Sequence, residues 1–125
     1  MESRPKATRF EDLVVWQKAH QLVLHTYRQT SSFPDTERYG LVSQMRRSAV
    51  SVPANIAEAF GRIAAGDKVR FLGFSQGSLQ ELRYSYLLSN DLNYTDDHDA
   101  APVCEEVSKI LSSYIRQVRQ NQNKT

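Results

Sequence analysis

The side chains best suited to chemistry in this chain are cationic. Arg46 and Arg47 are adjacent, and Arg62, Lys68 and Arg70 share residues 62–70 with Asp67 as the only acid. Arg116, Arg119 and Lys124 stand near the C-terminus with no acid among them. Such clusters suit the phosphates of RNA or DNA, where each neutralised phosphate releases counterions. Taken singly, each is small enough to be an ordinary solvated face. Repeated around the symmetry axis of an oligomer, the same patch becomes a strong field.

Other constellations are weaker. Gly73-Phe74-Ser75-Gln76-Gly77 matches G-x-S-x-G, and Asp96, Asp97 and His98 follow it. A hydrolase needs that serine on a strained strand-to-helix turn. Here the pentapeptide lies inside a helix-period segment with no strand before it, so a helix-packing face outweighs a nucleophile. On that reading Ser75→Ala is neutral. His20 and His25 are five apart, which takes them off a common helix face, and no carboxylate supports them in the sequence. No metal site is expected from them. Cys104 falls on an apolar seam and reads as a buried, inert thiol. Asn93-Tyr94-Thr95 fits a glycosylation sequon that a chain without a secretory signal does not use. No catalytic residue and no cofactor is assigned.

A polar stripe is less ordinary. Gln44, Ser48, Ser51, Asn55, Glu58 and Arg62 follow a 4-3-4-3-4 spacing, one residue off an apolar seam. It reads as a solvent face with a Glu58–Arg62 helix pair, or as a polar contact with another helix or subunit. Ser51, Asn55, Glu58 and Arg62 are its candidates for an oligomer interface.

The elements that position these groups are helices. Val42, Met45, Ala49, Val52, Ile56 and Ala59 keep an unbroken 3-4-3-4 rhythm through a segment predicted from about Asp35 to Phe60. A first segment, about Asp12 to Thr30, carries Trp16, Ala19, Val23, Thr26 and Thr30, with Leu13 and Tyr27 widening the stripe. A third, about Asp67 to Leu92, carries Leu72, Ser75, Leu79, Leu82 and Tyr86. A fourth, about Asp99 to Gln120, carries Cys104, Val107, Leu111, Tyr114 and Val118. Short connections make neighbours antiparallel, so the spacing predicts an all-α, up-down-up-down four-helix bundle over residues 12–120, with tails at 1–11 and 121–125. Pro53 removes a hydrogen bond to the Ala49 carbonyl and predicts a kink in the second helix. Gly73 and Gly77, with Ser75 and Ser78, form a small-residue face that lets another backbone approach. Trp16 and Tyr114 are placed in the core with the aliphatic seam residues.

Composition agrees. With 125 residues, 40% hydrophobic and 24% charged, the chain is an ordinary soluble domain. No apolar run approaches the roughly 20 residues of a membrane span, and the single cysteine excludes an internal disulfide. The charged N-terminus lacks an apolar signal region, so the cytoplasm is the expected compartment. A net charge of +2 argues against a chain that is basic all over, while leaving local patches open.

At Ser51-Val52-Pro53-Ala54-Asn55-Ile56-Ala57-Glu58 the sequence resembles the 23S rRNA intervening-sequence protein family, also called four-helix-bundle proteins. Similarity extends through Phe10-Glu11-Asp12-Leu13, Trp16-Gln17-Lys18-Ala19, Tyr39-Gly40-Leu41, Gln44-Met45-Arg46-Arg47, Arg70-Phe71-Leu72 and Gly77-Ser78-Leu79-Gln80-Glu81-Leu82. Ala59, Ser75 and Arg83 depart from the residues usual in that family. The resemblance implies a four-helix bundle in a ring-like homo-oligomer, a pentamer, without established catalytic residues. It also implies a bacterial context, inside intervening sequences of large-subunit ribosomal RNA genes or elsewhere in the genome, and distant kinship with accessory proteins of diversity-generating retroelements. Together with the clusters, it favours a non-enzymatic RNA- or DNA-binding accessory protein contacting phosphates through Arg46, Arg47, Arg62, Lys68 and Arg70. The alternative is a protein-interaction scaffold with a partner protein and no nucleic-acid role.

Overall fold

A computed structural model describes residues 6–122; the expected tails lie partly outside this range, as does Lys124. Four helices account for most of it: α1 Val14–Thr30, α2 Leu41–Gly61, α3 Ala65–Asp91 and α4 Ala100–Gln122, with no strand among the described residues. None of them is long and apolar enough to cross a membrane.

Local chemistry sets the ends. Before α1, the Asp12 carboxylate accepts the Thr8 and Arg9 N–H groups at 3.1 and 3.2 Å, and these bonds hold its pKa down. At the far end, the hydroxyls of Thr30, Ser31 and Ser32 turn back onto the carbonyls of Thr26, Arg28 and Gln29. The Arg28 and Gln29 carbonyls, left over by the ending helix, are thereby satisfied. α2 begins later than the spacing predicts. Pro34 opens a separate 3-10 turn, Asp35–Glu37, and Gly40 interrupts the chain with φ −110° and ψ −106°. From that turn the Glu37 carboxylate takes the Leu41 N–H at 3.4 Å and the Tyr94 hydroxyl at 2.8 Å. It thus lies over a helix N-terminus, where negative charge is favoured. α3 ends at Asp91, and beyond its cap Asn93 turns the chain with a φ of 62°, the left-handed conformation that asparagine tolerates.

Helix α2 continues through Pro53, and all six residues of its predicted seam are buried. α3 packs against it most extensively, with its serines inside. Ser75 is fully buried and donates to the Val52 carbonyl at 2.8 Å, while Ser78 donates to Ser51 Oγ at 2.8 Å and Ser48 to Glu81 at 3.2 Å. These pairs run in opposite chain directions. So do Gln76 with Ser108 and Arg83 with Glu105 between α3 and α4, and the Arg46 Nε bond to Thr30 joins α1 to α2.

The core differs from expectation on α1. Its buried face is Val15, Ala19, Leu22, Val23, Thr26 and Thr30. Trp16 is only half-buried, stacked on His20 and tilted against Phe10, and Tyr27 is 43% exposed. Tyr114 is also only half-buried. On α1 the large rings Trp16 and Tyr27 sit at the rim, and smaller aliphatic and hydroxyl side chains face the interior. Thr26 Oγ1 bonds the Leu22 carbonyl and the buried Tyr86 hydroxyl, so the polar atoms there are satisfied.

Burial also corrects the expectation that Ser75→Ala is neutral. Removing the bond to Val52 is expected to lower stability by about 1 kcal/mol. Thermal or urea unfolding checks this, and an unchanged midpoint would contradict it.

Candidate nucleic-acid interface

The five cationic residues expected to act together are not together. Arg46 and Arg62 lie 16 positions apart on α2, about 24 Å at the helical rise. The two ends of that helix carry different arrangements.

At the C-terminal end the charges are already engaged. Arg62 meets Glu58 at 2.7 Å and Arg70 lies 3.9 Å from Asp67. Both guanidinium groups rest over the Phe71 ring, at 4.6 and 4.8 Å from its centroid. Lys68 Nζ donates to the Ala59 and Phe60 carbonyls, each at 3.2 Å. It caps α2, whose last carbonyls attract a cation, and burial pushes its pKa down. Lys68 is therefore a helix cap.

At the N-terminal end, Arg46 and Arg47 are joined by Arg38, Tyr27 and Tyr39 around an open groove of ≈ 530 Å³ with no carboxylate in its lining among the described residues. Arg46 is held from several sides. Its Nε donates to Thr30 Oγ1 at 2.9 Å, its NH2 to the Tyr27 carbonyl at 3.3 Å, and its guanidinium lies 4.5 Å from the Tyr27 centroid. Arg47 reaches Ser43 Oγ at 3.5 Å, and Arg38 lies 5.6 Å from the Tyr39 centroid. Tyr39 is 89% exposed. Fixed guanidinium groups between exposed rings can take phosphates and stack on bases. Arg38, Tyr27 and Tyr39 were missed by the sequence reading. Helical spacing puts Tyr27 on the core stripe and Arg38-Tyr39 inside the second predicted segment, whereas α2 begins only at Leu41. The available signal was the Arg-Tyr-Gly run itself, a basic and an aromatic residue at a turn.

The polar stripe is used largely inside the chain. Ser51 takes the Ser78 hydroxyl, and Asn55 Nδ2 donates to the Ser51 carbonyl at 2.8 Å and to its hydroxyl at 3.0 Å. Of the expected interface residues, only Glu58 and Arg62 are exposed. The small-residue face divides likewise. Ser75 and Ser78 turn toward α2, whereas a Cβ added at Gly73 or Gly77 would meet nothing within 4 Å.

His25 does have a carboxylate, 72 positions away: its Nε2 bonds Asp97. Burial pushes the Asp97 pKa up, but the Asp99 N–H, His25 and the Ala100 N–H outweigh it and the net direction is down. With Thr95 donating to Gln29 at 2.8 Å, this contact ties the α3–α4 loop to α1. Among the described residues, no group of three or more His, Cys, Asp or Glu is placed to hold a metal ion.

The sequence model of the 23S rRNA-intervening sequence proteins matches residues 11–115. The chain belongs to this family. Its fold is also that of a crystallised protein of unknown function from the S23 ribosomal protein family of Bacteroides thetaiotaomicron. The two share a TM-score of 0.73 over 82% of this chain and 98% of that one, at 22% identity. No curated protein matches the chain. Within the family match fall both arginine clusters, the Tyr27–Tyr39 groove and the whole α2–α3 pair.

Proposed function

We propose that the chain is a non-enzymatic, homo-oligomeric accessory protein of the cytoplasm that binds RNA or DNA by its phosphates at the Arg38–Arg46–Arg47 groove. One observation carries this reading. Three arginines and two tyrosines surround a groove without a carboxylate, in a chain whose net charge is only +2. Elsewhere on the same helix the arginine has its acid, as Arg62 has Glu58. Membership in a family named for an element within 23S rRNA supports an RNA context. Phosphate contacts of this kind need no cofactor. One groove holds nucleic acid weakly at physiological salt, but copies arranged as a pentamer add their contacts on one strand.

A scaffold role is the second reading, favoured by the outward face of α3. Phe74, next to Gly73, is 50% exposed, and Tyr84, farther along the same helix, is 62% exposed. A mid-helix glycine costs about 1 kcal/mol relative to alanine, and among the described residues nothing fills the space that Gly73 and Gly77 leave. A partner protein or a second copy would.

Light scattering and filter binding test the proposal together. The expected result is a mass several times 14.3 kDa and retention of single-stranded RNA at low salt. A monomer that retains no RNA or DNA would overturn it. An oligomer that retains none would leave the scaffold.

A further inference from the structure

Tyr39 and Arg47 stand on a ridge between two grooves. The acid-free groove lies on one side. On the other, between α2 and α3, is a second groove of ≈ 550 Å³ whose lining is polar and includes Gln44, Ser48, Ser78 and Glu81. Ser43 and Arg47 border both. We infer that this second groove is a base-reading subsite for an unpaired guanine, its ring on Tyr39 and its Watson–Crick edge on the Glu81 carboxylate. This rests on the nucleic-acid reading and adds to it a strand state and a base.

Glu81 is the observation that a phosphate-only surface leaves without a use. It comes from α3, lines the same groove as Arg47, and makes no ion pair among the described residues. Its one hydrogen bond there is from the Ser48 hydroxyl to Oε2 at 3.2 Å, which steadies the carboxylate and leaves Oε1 with no hydrogen bond among the described residues. A carboxylate only accepts hydrogen bonds, and it repels phosphate. It therefore fits a donor edge better than a backbone. Guanine offers two adjacent donors, N1–H and the N2 amino group, which match the two oxygens of a carboxylate. Uracil and thymine present one N–H between two carbonyl oxygens, which a carboxylate repels. Adenine and cytosine present one amino group beside a ring acceptor. In a duplex that edge is already paired, so only a single strand can present it. Tyr39, 89% exposed on the ridge, supplies the stacking face. Arg47 then holds a phosphate of the same strand on the neighbouring side.

Fluorescence anisotropy with short labelled oligonucleotides tests this on the wild-type protein. The probes are a uridine tract, the same tract with one central guanosine, the same with inosine there, and the guanosine strand annealed to its complement. Thymidine-tract DNA with and without one guanosine forms a parallel arm. The guanosine strand is expected to bind roughly ten- to a hundredfold tighter than the uridine tract, the range for one bidentate base contact. Inosine, which lacks the N2 amino group, should lose most of that gain, and the duplex all of it. In Glu81→Gln the guanosine strand should bind no tighter than the uridine tract. Equal, salt-dependent binding of guanosine and uridine strands would overturn the subsite and leave the phosphate groove standing, as would a guanosine preference that survives Glu81→Gln. No binding of any strand would overturn both.

Discussion

Truncation of Leu79 to alanine is expected to lower the stability of the fold by about 2–5 kcal/mol, and truncation of Ile56 by a similar amount. Leu79 is 1% exposed on α3 and Ile56 is fully buried on α2, both in one core with Met45, Val52, Leu72 and Leu82. Each substitution loses the transfer free energy of the deleted carbons. It also leaves a cavity that the serine-mediated α2–α3 contact is too closely tied to fill by collapse. Urea unfolding measures the loss. A change below about 0.5 kcal/mol at both sites would show that this pair is not the centre of the core.

The second large effect is expected in alkali. Burial of Cys104 pushes its thiol from an ordinary 9.0 up to about 12. Below the ordinary value both folded and unfolded chains keep the proton, and pH does not matter. Between the two values the unfolded chain releases its proton while the folded chain retains it, so the unfolded state binds fewer protons and stability falls as pH rises. The loss is on the order of 3 kcal/mol between about pH 8 and about pH 11. Tyr86, raised by burial, acts in the same direction. Cys104→Ala separates the two. Whatever the cavity costs at neutral pH, the variant should lose less stability than the wild type on moving to alkaline pH. Parallel losses in the two proteins would mean that the thiol ionises freely in the fold.

What could be read beforehand follows from where the physics is local. The α2 seam was legible because Val42 to Ala59 repeats at the helical period, and a proline inside it does not change the phase. The α1 register was less so. Trp16 and Val15 are adjacent, and hydrophobicity alone favours the larger ring, yet the interior took the smaller residue. On α3, Ser75 and Ser89 are buried although polar, because each hydroxyl finds an acceptor on a helix backbone or on Met45. That satisfaction depends on partners no spacing reveals. The same holds for His25 and Asp97, which are brought together only by the closed bundle. The basic residues were legible as residues but not as a site. Arg46 and Arg62 share a helix and a charge, and only the fold shows that one has an acid while the other lines an acid-free groove with Arg38.

The most direct test of that groove is the salt dependence of single-stranded RNA binding in two matched double variants, Arg38→Ala/Arg47→Ala and Arg62→Ala/Arg70→Ala. Each phosphate contact contributes about 0.7 to the slope of log affinity against log salt for a single strand. The first variant is expected to bind more weakly at low salt and to flatten the slope by about 1.4 for each engaged groove, while the second stays near the wild type. Equal flattening in both variants, or none in the first, would contradict the assignment of phosphate binding to the Arg38–Arg46–Arg47 groove.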